Sequence, residues 1–210
     1  HGISIGRNTT AAMYGNVSVR SYVGFLISRT TTCDIQGNLA VNCYGPSYYA
    51  KGCTAATIRG NVAVVEANAL QRTRGVIEAT KQGVTDTVST DFIENIIIMG
   101  DDDLATTFAA TNGSLARFED TSQVCTFTRN KYYVPDTNSA TGSYWYQGGV
   151  GLVDLATWNA ISGGNQTVTE DELILLPQAQ IDQMIRYYKD VAEGFSGSTG
   201  GASGSTGMSI

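Results

Sequence analysis

Three short segments share one pattern, Gly-Asn-apolar-small-Val: "YGNVSV" at 14–19, "QGNLAV" at 36–41 and "RGNVAV" at 59–64. Their glycines, Gly15, Gly37 and Gly60, lie 22 and 23 residues apart. Each copy has an apolar residue two places before the glycine (Met13, Ile35, Ile58) and an alternating apolar pair after it (Val17 and Val19, Leu39 and Val41, Val62 and Val64). Alternation is strand periodicity. Gly followed by Asn suits a two-residue type II′ turn, which makes each copy a hairpin tip. The same spacing also falls in the range of stacked coils in a β-solenoid. A third reading is accidental recurrence in a chain rich in Gly, Asn and Val.

Beyond the third copy the period changes. Val62, Val65, Ala69, Thr73, Val76, Thr80, Val84, Val88, Phe92 and Ile96 recur every three or four residues, the stripe of amphipathic helices over about 62–98. Gly75, Gly83 and the Thr-rich "TDTVST" favour two helices, near 62–82 and 84–98. "GDDDLATTFAATNGS" reads as a short helix, "QVCTFTRNKYYVP" and "ELILLP" as strands. Pro177 opens a last helix over about 177–193, whose apolar face is Ile181, Met184, Ile185, Tyr188 and Val191. These signals predict an α+β fold: amino-terminal β-hairpins or short β-repeats over about 1–60, packed with helices and disulfide-bonded. Residues 1–193 are expected to form one globular domain. Residues 194–210, almost all Gly, Ser, Thr and Ala, form a tail expected to be ordered only by neighbouring subunits.

Charged residues make up 15% of the 210-residue chain and the formal net charge is −6, with no cluster of Lys and Arg. That balance argues against nucleic acid as a partner. No run approaches the roughly 20 apolar residues that span a bilayer as a helix. A start at His1 rather than Met predicts removal of a secretory signal and a secreted, extracellular or cell-surface location. Four cysteines, Cys33, Cys43, Cys53 and Cys125, with no CxxC spacing and a single histidine, point to two disulfides rather than zinc. The favoured pairing is Cys33 with Cys43 and Cys53 with Cys125. Sequons for N-glycosylation occur at Asn8, Asn16, Asn112 and Asn165, so glycans are expected.

One histidine leaves little room for a Ser-His-Asp or Cys-His arrangement. His1 and its α-amino group form half of a copper chelate, but no second histidine completes one. Asp101, Asp102 and Asp103 lack the alternation of an EF-hand loop, and no phosphate-binding loop is present. The expectation is a protein that is not an enzyme and uses no metal or other cofactor. Tyrosines cluster in "SYYAK", "NKYYVP", "SYWYQ" and "RYYKD", and Tyr144, Trp145 and Tyr146 are the expected aromatic contact surface. The function expected is a structural subunit of an extracellular filament, pilus-like fibre, sheath or surface layer, a homo-oligomer or polymer joined through its terminal segments. The alternative is a secreted carbohydrate-binding or carbohydrate-active protein.

Overall fold

The structure, a computed structural model, describes residues 2–6, 10–67, 74–80, 89–111, 113–119, 124–163 and 166–197. The chain winds through six coils, each contributing one strand to each of three sheets. Coil 1 holds β1 (Ile3–Gly6), β2 (Thr10–Tyr14) and β3 (Val17–Val19); coil 2 holds β4 (Phe25–Ser28), β5 (Thr32–Gln36) and β6 (Leu39–Val41). Coil 3 holds β7 (Tyr48–Lys51), β8 (Ala55–Arg59) and β9 (Val62–Val65); coil 4 holds β10 (Gly75–Thr80), β11 (Ser89–Ile93) and β12 (Ile96–Met99). A short helix, α1 (Leu104–Thr111), leads into coil 5, with β13 (Ser114–Phe118), β14 (Val124–Thr128) and β15 (Lys131–Pro135). Coil 6 holds β16 (Trp145–Gln147), then the insertion β17 (Gly151–Val153), α2 (Leu155–Asn159) and β18 (Ser162–Gly163), then β19 (Gln166–Thr169) and β20 (Glu172–Leu176). The final helix, α3, covers Gln178–Gly197.

Strands of successive coils pair in parallel and in register. Sheet A runs β1-β4-β7-β10-β13-β16-β17, sheet B β18-β19-β14-β11-β8-β5-β2, and sheet C β20-β15-β12-β9-β6-β3. Among the described residues only the β16–β17 and β18–β19 pairs are antiparallel. This is a parallel β-solenoid. In-register stacking turns each strand position into a column. The residue two places before each repeat glycine lies in the column Met13, Ile35, Ile58, Phe92, Phe127, Val168, which points into the core. Phe92 and Phe127 stack in it at 4.8 Å.

The repeat is explained in full by the second and third sheets. Its larger apolar positions (Val17, Leu39 and Val41, Val62 and Val64) face outward from sheet C, where α3 covers them with Ile181, Ile185, Tyr188 and Ala192, while Val19 on the same face stays exposed. The small residue between them (Ser18, Ala40, Ala63) faces inward. Its size leaves room for Tyr48, which crosses the interior from sheet A to donate its hydroxyl to the carbonyls of Asn38 (2.7 Å) and Val62 (2.9 Å). Both faces of sheet C are thus buried, as parallel sheets require.

Several expectations are corrected. The α+β fold with amino-terminal hairpins is replaced by a solenoid, and each Gly-Asn is a corner between sheets rather than a hairpin tip. The helices expected over about 62–98 are replaced, among the described residues there, by β9, β10, β11 and β12. Their sequences, "VAVV", "GVIEAT", "STDFI" and "IIIM", are rich in β-branched residues that suit strands. The three-to-four spacing of apolar residues arises where strand alternation is broken by corners. "QVCTFTRNKYYVP" holds two strands, β14 and β15, with a corner at Arg129-Asn130. The helix expected near 177–193 is α3, laid along the outside of sheet C.

The disulfides are also corrected. None of the four cysteines is bridged, and all four are buried. Cys53 stands two residues before β8, and Cys125 sits in β14, two strands away in sheet B, roughly 10 Å at the usual strand spacing. That exceeds the roughly 7 Å limit for bridged Cα atoms. Cys33 lies on β5 in sheet B, whereas Cys43 follows β6 of sheet C at the next corner. Burial pushes the thiols of Cys33 and Cys125 up to about 12, so they serve as apolar packing rather than as nucleophiles. Among the described residues no helix is long and apolar enough to cross a membrane.

Candidate functional site: a directional ladder and an open coil

A two-residue corner joins sheet B to sheet C in every coil. Its first residue is Gly15, Gly37, Gly60, Glu94, Arg129 or Glu170, all with φ between 53° and 64°. Its second is Asn16, Asn38, Asn61, Asn95, Asn130 or Asp171. The left-handed first residue turns the chain, and the second aims its side chain along the solenoid axis. The Gly-Asn motif therefore has three further members that sequence reasoning missed, because Glu, Arg and Glu stand in place of glycine.

The second residues form a continuous hydrogen-bonded ladder. Each backbone N–H donates to the side-chain oxygen of the next coil: Asn16 to Asn38 (2.9 Å), Asn38 to Asn61 (3.0 Å), Asn61 to Asn95 (3.2 Å), Asn95 to Asn130 (3.0 Å) and Asn130 to Asp171 (2.9 Å). Each Nδ2 donates to the same oxygen at 2.9–3.1 Å. The second Nδ2 proton of Asn38, Asn61, Asn95 and Asn130 goes back to a carbonyl of the preceding coil, that of Met13, Ile35, Ile58 and Phe92 respectively. Each corner thus sends a backbone N–H and one Nδ2 proton toward the carboxyl-terminal coil, and turns its side-chain oxygen and the other Nδ2 proton toward the amino-terminal one.

The two ends differ. At the carboxyl-terminal end Asp171 closes the ladder: Oδ1 accepts both bonds from Asn130, and Oδ2 accepts from the Tyr132 hydroxyl (3.1 Å) and the Trp158 indole N–H (3.2 Å). A carboxylate has no donor, so no further rung is needed. Burial raises the Asp171 pKa, while these bonds pull it down. Trp158 stands on α2, which Asp154 caps by accepting from the Thr157 N–H (2.8 Å). The antiparallel β17 and β18 end sheets A and B with reversed strands.

At the amino-terminal end, among the described residues, β1, β2 and β3 pair on one side only. Leu39 N–H donates to the Asn16 carbonyl (2.9 Å) and Arg20 N–H to the Val41 carbonyl (2.9 Å), so the N–H groups of Val17 and Val19 point away from coil 2. Asn16 Oδ1 accepts from no described residue. Its Nδ2, lacking a preceding coil, donates to the Tyr14 carbonyl (3.0 Å) in its own. Ile3, Ile5 and Ala11 pack on the core yet stay half-exposed, and Tyr14, Val19 and Tyr22 are exposed around them. An apolar cross-section with unpaired strand edges is a docking surface by its chemistry.

The expected site residues fall elsewhere. Tyr144 and Trp145 are buried in the core, and Tyr146 is half-buried under the Arg117 guanidinium at 3.9 Å, so the three do not make an outward platform. Asn16 has both Nδ2 protons engaged, and a glycan there would displace one of them. Asn8, Asn112 and Asn165 lie outside the described residues, as do His1 and residues 198–210. Asp101 and Asp103 serve α1, accepting from the Thr107 hydroxyl (2.7 Å) and the Thr106 N–H (3.2 Å). Among the described residues no group of three or more His, Cys, Asp or Glu is arranged to hold a metal ion.

A shallow groove of about 330 Å³ lies on the outer face of sheet B, lined by Asp34, Thr57, Arg59 and Asp91 among others. Asp34 accepts from the Tyr14 hydroxyl (3.0 Å) and pairs with Arg59 (3.4 Å). Comparison with family models, curated proteins and solved structures finds no match to this chain.

Proposed function

We propose that this chain is a non-catalytic structural subunit of an extracellular filament, sheath or surface layer, joined to its neighbours through its amino-terminal coil. The observation that carries this reading is the first coil, where, among the described residues, strand edges without partners, half-exposed core residues and a ladder acceptor without a donor coincide. A stack of in-register coils suits such a role, because each coil is supported by its neighbours and stability propagates along the axis. Head-to-tail growth from the last coil is disfavoured, since Asp171, β17 and β18 end that side. Electron microscopy and sedimentation of the protein isolated from its natural source test the reading. Assemblies containing the chain are expected, and a monodisperse monomer would contradict it.

Carbohydrate binding is a second reading, favoured by the polar groove on sheet B rather than by Tyr144, Trp145 and Tyr146. Sugar-array binding that Asp91→Ala abolishes would support it.

A further inference from the structure

We propose that the outer face of sheet B binds a linear, uncharged polysaccharide laid along the solenoid axis. The proposal rests on the carbohydrate reading of that face and names the class of glycan. Of the three sheets, this one is left bare. Sheet C lies under α3, and the outward Tyr49, Glu78 and Thr80 at the middle of sheet A are buried, whereas no outward residue of β2, β5, β8, β11, β14 or β19 is. The groove of about 330 Å³ sits on coils 2 to 4, with a paired coil on either side, so it owes nothing to the ends of the stack.

The unspent polar groups of the groove define the ligand. Asp34 Oδ2 accepts from the Tyr14 hydroxyl and from Arg59, while Asp34 Oδ1 accepts from no group. Thr57 and Asp91 stand beside Asp34 in one column, and among the described residues nothing bonds the Thr57 hydroxyl or the Asp91 carboxylate. Arg59 gives one N–H to Asp34 and keeps the rest of its fork. A matching ligand offers donors to carboxylates and acceptors to a guanidinium at once, which hydroxyl groups do. Ala55 and the threonine methyls supply carbon for the C–H face of a sugar ring, and Tyr14, 54% exposed and tethered to Asp34, adds an aromatic ring. Other polymers fit less well. Two carboxylates against one guanidinium repel a polyanion, which excludes uronates, sulfated glycans and nucleic acid. Arg59 already offsets Asp34, so a polycation gains Asp91 alone. An extended peptide is held by backbone bonds to a strand edge, and within a sheet those bonds are already made. Length follows from register. The column of Asp34, Thr57 and Asp91 continues as Thr126 and Thr167, and the neighbouring one ends in Thr128 and Thr169. Coils 2 to 6 span roughly 19 Å at the usual strand spacing, room for about four sugar rings.

The test titrates β-linked hexasaccharides of glucose, mannose, xylose and N-acetylglucosamine into the isotope-labelled full chain and follows amide chemical shifts. At least one is expected to bind, with shifts centred on Thr57, Asp91 and Thr126. Asp91→Ala is expected to weaken that binding at least tenfold. Thr128→Val combined with Thr169→Val is expected to weaken it at least threefold, yet to leave the matching disaccharide unaffected. Unchanged urea midpoints show that these variants, altered only on the outer face, remain folded. The proposal is overturned by three results: no binding of any of the four, equally tight binding of oligogalacturonate or heparin, or tighter binding of oligolysine to the same face, which makes a polycation the occupant. Hexasaccharide and disaccharide that bind equally, both sensitive to Asp91→Ala, would sink the axial polymer and leave the carbohydrate reading standing. Absence of all sugar binding sinks both, and the filament reading is then judged by its assemblies.

Discussion

Asn61 and Asn16 occupy equivalent corners, yet the ladder's direction makes them unequal. Removing the Asn61 side chain strands the N–H and Nδ2–H of the buried Asn38 and frees the Ile35 carbonyl. Asn61→Ala should therefore cost about 3 kcal/mol or more in urea unfolding, whereas Asn16→Ala, on which no earlier coil depends, should cost under about 1 kcal/mol. Comparable losses at the two positions would contradict the direction of the bonds. Glu78 supplies a second test. It is wholly buried on sheet A, bonded to Arg74 Nη1 (2.7 Å) and the Gly75 N–H (3.0 Å), and burial pushes its carboxyl up to about 7 against the pull of Arg74 and Arg117. A folded pKa above the ordinary 4.5 means that the stability it contributes is full below about pH 4.5 and is lost as pH rises through 7. That loss is about 3 kcal/mol, so Glu78→Gln should flatten the decline in unfolding free energy between pH 5 and pH 8. At this scale the sequence was legible where glycine marked the corner. Glu94, Arg129 and Glu170 hide the other three, because a left-handed turn admits other residues at a cost of about 1 kcal/mol each.

Among the elements, α3 was the most readable, since a 20-residue helix repeats its apolar face often enough to be distinguished from chance. What the sequence could not reveal was its partner, the outward valines, leucine and isoleucines of sheet C. Ile181 is fully buried there, and Ile181→Ala should lower stability by about 2–4 kcal/mol, measured by urea denaturation. A negligible change would mean that α3 is not seated on the sheet. The strands of coil 4 were misread for a physical reason. Strands of four to six residues alternate too briefly to display their period, and corners between them imitate helical spacing. The cysteines misled through composition: four in a chain with few charges suggest bridges, while in-register stacking holds Cys53 and Cys125 two strands apart in sheet B.

Over the described residues the solenoid has a direction, set by six corners and closed by reversed strands at its carboxyl-terminal end. Half of that plan stood in the sequence as three Gly-Asn copies. The other half was obscured by insertions that carry α1, β17, α2 and β18 and stretch the spacing between corners from 23 residues to as many as 41. Strand edges without partners should exchange their amide protons freely, and those between coils should not. Native-state hydrogen exchange on the dilute, isolated protein compares Val17 and Val19 in coil 1 with their counterparts Leu39 and Val41 in coil 2. An open first coil predicts exchange at least a hundredfold faster at Val17 and Val19. Equal protection at all four would show that the amino-terminal coil is already covered, and would contradict an unfinished end.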